Sequence, residues 1–188
     1  MRSFTSLITG RRSTRKFTDK LLSPEQVESI LKSALMAPTS KNGFSWQFVV
    51  VEDKNILSQL AGCKKHGAAF LGGCALAIVV LCDVIQTDVW IEDASIAAIY
   101  MQLQAEDLGL GSCWCQVRNR LTDDGRESEQ YVRELLGIPR QFGVLTIIGF
   151  GQKEQGQKPL DKSHLLWEKV HIGKFANQET PLLSIHFA

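Results

Sequence analysis

The chain has 188 residues, 44% hydrophobic and 22% charged, with a formal net charge of +1. This length and composition suit a single globular domain over 1–188 with a sizeable core. The near-neutral balance excludes a global attraction for nucleic acid or acidic membranes, so no such partner is expected.

Along the chain, residues 1–10 (MRSFTSLITG) lack the apolar core of a signal peptide and instead suggest a short helix over 3–11. It leads into RRSTRKF, a basic run at 11–17. Ser23-Pro24-Glu25-Gln26 is a helix start: Ser caps, Pro suits the first turn and Gln26 stands at the capping-box position. Val27, Ile30, Leu31, Ala34 and Leu35 then recur at helical spacing, and Pro38 lies beyond the end. WQFVVV at 46–51 is aromatic and β-branched, which predicts a strand, followed by a helix over 54–61.

Residues 75–82 read as an interior strand, apolar on both faces. The apolar run Cys74–Cys82 is shorter than the roughly 20 residues a membrane-spanning helix needs, so a cytoplasmic protein is expected. The cysteines at 63, 74, 82, 113 and 115 are odd in number and several lie in apolar runs, which predicts buried reduced thiols. The longest helix is predicted over 88–108, its apolar side marked by Val89, Ile96, Ile99, Leu103 and Leu108. Trp90, Ile91, Tyr100 and Met101 widen that stripe, which implies central burial or a subunit interface. Gly109 suits its C-terminal cap. A strand at 112–117, a helix at 128–136 ending at Gly137, a buried strand at 144–150 and a short helix at 163–170 complete the order. About four strands among helices predict a mixed α/β domain with helices packed round a small sheet.

Common catalytic motifs are missing: no G-x-G-x-x-G after a strand, no P-loop and no G-x-S-x-G. His66, His164, His171 and His186 show no metal-binding spacing, so no metal is expected. Cys113 and Cys115 alternate onto one face of a strand, where core packing is the simplest role.

Four features carry chemistry. RRSTR offers fork-shaped donors matched to phosphate, although Arg at a helix C-terminus also favours the helix dipole. PTSKNGFSW at 38–46 is a polar loop running into a strand. Gly109-Leu110-Gly111-Ser112-Cys113-Trp114 lets backbone approach a flat ligand, or simply makes a tight turn. Gln157-Lys158-Pro159 places a lysine in a polar tail.

In this order and spacing, from about 4 to 175, these four features resemble the nitroreductase-like FMN-dependent flavoprotein family. The resemblance implies an α+β fold with a small, mostly antiparallel sheet surrounded by helices. It also implies an intertwined homodimer with FMN at the interface, and 176–188 is a candidate C-terminal arm. The implied activity is hydride transfer from NADH or NADPH through flavin N5 to a nitroaromatic, quinone or similar acceptor, with ping-pong kinetics and no side chain acting as acid or base. Arg11, Arg12 and Ser13 match the family's phosphate, ribityl and ring contacts. Arg15 matches the cation at the N1–C2=O edge, an electrostatic role. Pro38, Thr39, Ser40 and Asn42 match the loop supplied by the other subunit. Leu110, Gly111, Ser112, Cys113 and Trp114 match the block lining the ring, and Lys158 the C-terminal phosphate cation.

The loop departs from the family's Asn-x-Gln-Pro-Trp: Phe44 and Ser45 replace Gln-Pro. Alternatives are an FMN-storing or FMN-sensing protein without turnover, and a flavin-dependent dehalogenase or flavin-fragmenting relative. A small nucleic-acid-binding domain using 11–17 is disfavoured by the near-neutral charge.

Overall fold

The computed structural model describes residues 3–175. Five α-helices and four strands are described: α1 (Phe4–Gly10), α2 (Pro24–Leu35), β1 (Trp46–Val51), α3 (Lys54–Leu60), β2 (Leu76–Asp83), α4 (Trp90–Asp107), β3 (Gly111–Gln116), α5 (Ser128–Leu136) and β4 (Phe142–Gly151). The candidate arm at 176–188 lies outside the described residues. No helix among the described residues is long and apolar enough to cross a membrane.

The strands form one sheet in the order β1-β2-β4-β3, and every pairing is antiparallel. The order follows from composition. β2 and β4 are apolar on both faces and every residue of each is buried, so they take the centre. β1 and β3 carry polar or half-exposed positions and take the edges.

Alternation along the strands separates two cores. Val79 and Ile147 meet Leu57 and Leu60 of α3 and Val132 of α5 on one face. Ile78 and Ile148 meet Ile30 and Ala34 of α2 and Met101 of α4 on the other. The sheet is thus covered on both faces, in an α+β arrangement.

Local signals act where the sequence puts them. Ser23 and Gln26 form the reciprocal capping box of α2. Gly137 ends α5 in the left-handed conformation, with φ 68°. α4 ends in a Schellman motif: Leu110 N–H donates to Ala105 O at 2.8 Å and Gly109 N–H to Glu106 O at 3.0 Å, with Gly109 at φ 76°.

Two expectations need correction. The segment 163–170 is not one helix but two single 3₁₀ turns, Lys162–His164 and Trp167–Lys169. Leu165, Leu166 and Trp167 are exposed, so no buried face stabilises a helix this short. The apolar side expected of α4 is only partly its buried side: Met101 enters the core and Trp90, Ile91 and Leu108 pack against it, but Ile99, Tyr100 and Leu103 do not. Ala94, Ala97, Ala98, Met101 and Ala105 face the core, because small residues let the helix lie close to the sheet. Ile99, Tyr100 and Leu103 face away and, with Phe4, Leu7 and Ile8 of α1, line an open groove of about 890 Å³.

Candidate functional site

The site begins at the free edge of β3. The segment Arg11–Phe17 leaves α1, meets that edge at Ser13–Thr14, and then bridges Lys153 just beyond β4 through Phe17. Ser13 bridges Ser112 in parallel, and Thr14 N–H donates to Ser112 O at 2.9 Å. Gly111 makes this approach feasible, since a Cβ there would stand 2.7 Å from the Thr14 side chain. Thr14 is buried, and its Oγ1 has no hydrogen-bond partner among the described residues.

The polar C-terminal segment returns to the same edge. Gln157 Nε2 donates to Ser13 O at 3.2 Å, and Leu160 N–H to Thr9 O at 2.8 Å. Lys158 stands exposed between these anchors. Arg11, Arg12 and Ser13 are half-buried and Arg15 is exposed. The fold therefore gathers RRSTR, Gly111–Ser112 and the Lys158 segment, three stretches far apart in sequence, into one cation-rich strip.

Cys113 and Trp114 lie on opposite faces of β3. The Cys113 thiol is packed in the core with Cys115, and burial pushes its pKa up, against the Arg15 charge and the Ser13 hydroxyl. Trp114 sits on the α4 side, its Nε1–H donating to Gln116 Oε1 at 2.9 Å. Leu110 is buried on that side too.

Pro38, Thr39, Ser40 and Asn42 lie elsewhere. Their loop makes a 3₁₀ turn at Ser40–Asn42, with Lys41 at φ 51° and Asn42 at φ 53°. Thr39 Oγ1 accepts from Phe44 N–H at 3.1 Å, and Ser40 N–H donates to the buried Asp93 Oδ1 at 2.9 Å. Asp93 is in the first turn of α4, whereas Glu106, beside Gly10, is in the last. Thirteen residues of helix rise separate the two by about 20 Å. One chain thus holds the basic strip and the loop at opposite ends of α4. In the substituted part of the loop, Phe44 is exposed at φ 47°, with its ring edge-on to Trp46 at 5.8 Å.

The supporting side chains were not foreseen. Gln102 donates Nε2–H to Ser112 Oγ at 3.3 Å, Asp93 holds the loop, and Lys153 pairs with Glu106 at 2.7 Å beside Gly10. Their signal was available: Asp93, Gln102 and Glu106 are the buried polar residues of an otherwise alanine-rich face. Gln157 and Thr14 had no such signal.

Known proteins share the sequence and fold of this chain. The family model described as "Nitroreductase family" matches residues 8–71 and 62–152. A protein of Archaeoglobus fulgidus with the provisional name NADH dehydrogenase/NAD(P)H nitroreductase is 36% identical over 149 residues, 77% of this chain and 82% of its own. A Bacillus subtilis protein named FMN reductase (NADPH) is 31% identical over 173 residues, 81% of this chain and 67% of its own. The solved structure of an FMN-dependent nitroreductase from Clostridium difficile R20291 superposes with a TM-score of 0.89 at 47% identity, over 92% of this chain and all of its own. On this agreement of sequence and fold, the chain belongs to the nitroreductase family.

Proposed function

We propose that the chain is an FMN-dependent oxidoreductase that takes hydride from NADH or NADPH and passes it to an electron-poor acceptor such as a nitroaromatic or quinone. The observation that carries this reading is the cation-rich strip at the free edge of β3, where Ser13–Thr14 lies against Gly111–Ser112. The names of the relatives support the same chemistry.

The donor set fits FMN. Arg11 and Arg12 supply forked, charge-assisted donors for a phosphomonoester, and Lys158 adds a flexible cation from the returning segment. Ser13 supplies a neutral hydroxyl. Arg15, the exposed end of the strip, would present a positive charge to the N1–C2=O edge of the ring. Gly111, Ser112 and Trp114 would line the ring, and Leu110 and Cys113 would contribute through their backbone, since both side chains are in the core. FMN, when bound, supplies the hydride-accepting and hydride-donating atom, so no side chain has to act as acid or base.

The separation of the two half-sites along α4 favours a homodimer. Pro38, Thr39, Ser40 and Asn42 of one copy then complete the strip of the other, and the apolar groove between α1 and α4 is covered in the process. The five buried free cysteines suit a reducing compartment, in keeping with the cytoplasm.

The test is direct. Purified protein should bind FMN and be yellow, and anaerobic NADH or NADPH should bleach it, with colour returning on addition of a quinone or nitroaromatic. A colourless protein that FMN cannot reconstitute removes the flavin reading. A yellow protein that neither nicotinamide bleaches reduces it to storage or sensing.

A further inference from the structure

A largely buried ion pair, Lys153 with Glu106, stands beside the basic segment and is not among the FMN donors. Lys153 serves both ends of that segment. At the far end its backbone bridges Phe17 in antiparallel fashion, while Thr18 N–H donates to Gln152 O at 3.0 Å and Glu154 N–H to Lys16 O at 3.3 Å. The Phe17 ring lies over Gly151, where a Cβ would stand 2.8 Å from it. At the near end the Lys153 ammonium donates to Glu106 Oε2 at 2.7 Å, and Glu106 Oε1 lies 3.0 Å from where a Gly10 Cβ would be. RRSTR is thus an arch whose two feet are joined by Lys153, one directly and one through Glu106.

The surroundings of the near foot are adverse to an anion. α1 ends at Gly10 and α4 at Asp107, and neither helix has a basic residue in its last turn. Two helix C-termini therefore present their negative ends here. α4 adds the carboxylates of Glu106, which is buried, and of Asp107, which is exposed. Glu106 stands beside the residue that precedes Arg11, and a buried charge is screened little by salt. An anion held by Arg11 and Arg12 meets that charge unless a cation offsets it. Lys153 supplies one from the chain just beyond β4.

We propose that Lys153 is a positioning residue of the phosphate site. By neutralising Glu106 beside Gly10, it leaves Arg11 and Arg12 to spend their charge on the phosphate of FMN. The proposal rests on the FMN reading. It gives Lys153 a role different from that of Lys158, the exposed cation that would meet the phosphate itself. Without the Lys153 charge, Glu106 draws on the neighbouring arginines and repels the phosphate. A flavin that has no phosphate is indifferent to this exchange.

The experiment titrates the full chain with FMN and with riboflavin, and follows flavin fluorescence. Lys153→Met keeps the backbone bridge to Phe17 and removes the charge. It should raise the FMN Kd about tenfold and the riboflavin Kd less than about twofold. Lys153→Arg keeps the charge and should return both to near wild type. Glu106→Gln should tighten FMN about threefold, and in that background Lys153→Met should cost less than about twofold. Equal shifts for FMN and riboflavin overturn the proposal and leave the FMN reading standing. So does a cost of Lys153→Met that is the same with and without the Glu106 carboxylate. If Lys153→Met does not fold, Glu106→Gln decides alone, and FMN binding no tighter than wild type overturns the proposal. A wild type that binds neither flavin removes the FMN reading, and this proposal with it.

Discussion

The Lys153 ammonium stands 2.7 Å from the Glu106 carboxylate, and the other Glu106 oxygen lies 3.0 Å from where a Gly10 Cβ would be. This ion pair joins the end of β4 to the last turn of α4, beside the point where α1 hands over to the basic strip. Both side chains are largely buried, at 21% and 9% exposed. Lys153→Met should therefore destabilise the fold by about 1.5–3 kcal/mol, the worth of a hydrogen bond to a charged group. Urea denaturation measures it, and an unchanged midpoint would show the pair to be dispensable.

Gly111→Ala should be far more damaging to the site than to the sheet. Its Cβ would stand 2.7 Å from Thr14, so Arg11–Arg15 must move off the β3 edge. Overpacking of this kind costs about 1–3 kcal/mol, and FMN affinity should fall with it. Gly156→Ala is the control, since a Cβ there meets nothing within 4 Å. Equal FMN titrations for the two variants would remove Gly111 from the site.

The two outer arginines of RRSTR should separate by readout. Arg11→Ala should raise the FMN Kd roughly 10- to 100-fold, the loss of one charge-assisted phosphate contact. Arg15→Ala should leave the Kd close to wild type and lower the flavin midpoint potential, because the positive charge at the ring edge is gone. Spectroelectrochemical titration beside FMN titration distinguishes them, and identical behaviour of both variants would refute the assignment.

The half-sites at opposite ends of α4 make a complementation test possible. Arg11→Ala damages the strip and Asp93→Ala leaves Ser40 N–H without its acceptor at the loop. If each site combines the strip of one copy with the loop of another, a mixed dimer of the two variants holds one intact site and one doubly damaged site. Mixing inactive homodimers under exchange conditions should restore activity, to at most half of wild type per dimer. No recovery despite confirmed subunit exchange would mean that both halves serve one chain.

Burial of thiols predicts an alkaline slope in stability. Cys74 and Cys82 are raised from 9.0 to about 11. Between those pH values the folded state holds protons that the unfolded chain has released, so stability is fully present below pH 9 and falls as pH rises toward 11. Urea midpoints across that window should decline, and the decline should be shallower in Cys74→Ala/Cys82→Ala. An equal slope in the double variant would assign it to other groups.

Much of the fold was legible in the chain because its signals are local. The Ser23–Gln26 capping box, Gly109 and Gly137 after their helices, and the two doubly apolar strands each act within a few residues. Legibility failed where packing partners decide. Ile99, Tyr100 and Leu103 look like a core stripe, yet Ala94, Ala98 and Ala105 take the core beside the expected Met101, because close approach to the sheet favours small side chains. The helix expected at 163–170 does not form, since Leu165, Leu166 and Trp167 gain no buried surface.

The sequence by itself determined the element types, the central place of the two apolar strands, and the family whose order of RRSTR, PTSKN, GLGSCW and Lys158 this chain carries. Only the tertiary structure decided that Ser13–Thr14 lies on Ser112 and Gly111, that Gln157 anchors the Lys158 segment, and that the PTSKN loop is held at the opposite, N-terminal end of α4 through Asp93. Caps and periodicity act over one or two turns and can be read from neighbours in the chain. A cation-rich strip assembled from residues 11–15, 111–112 and 157–158 exists only once the strand edge is built.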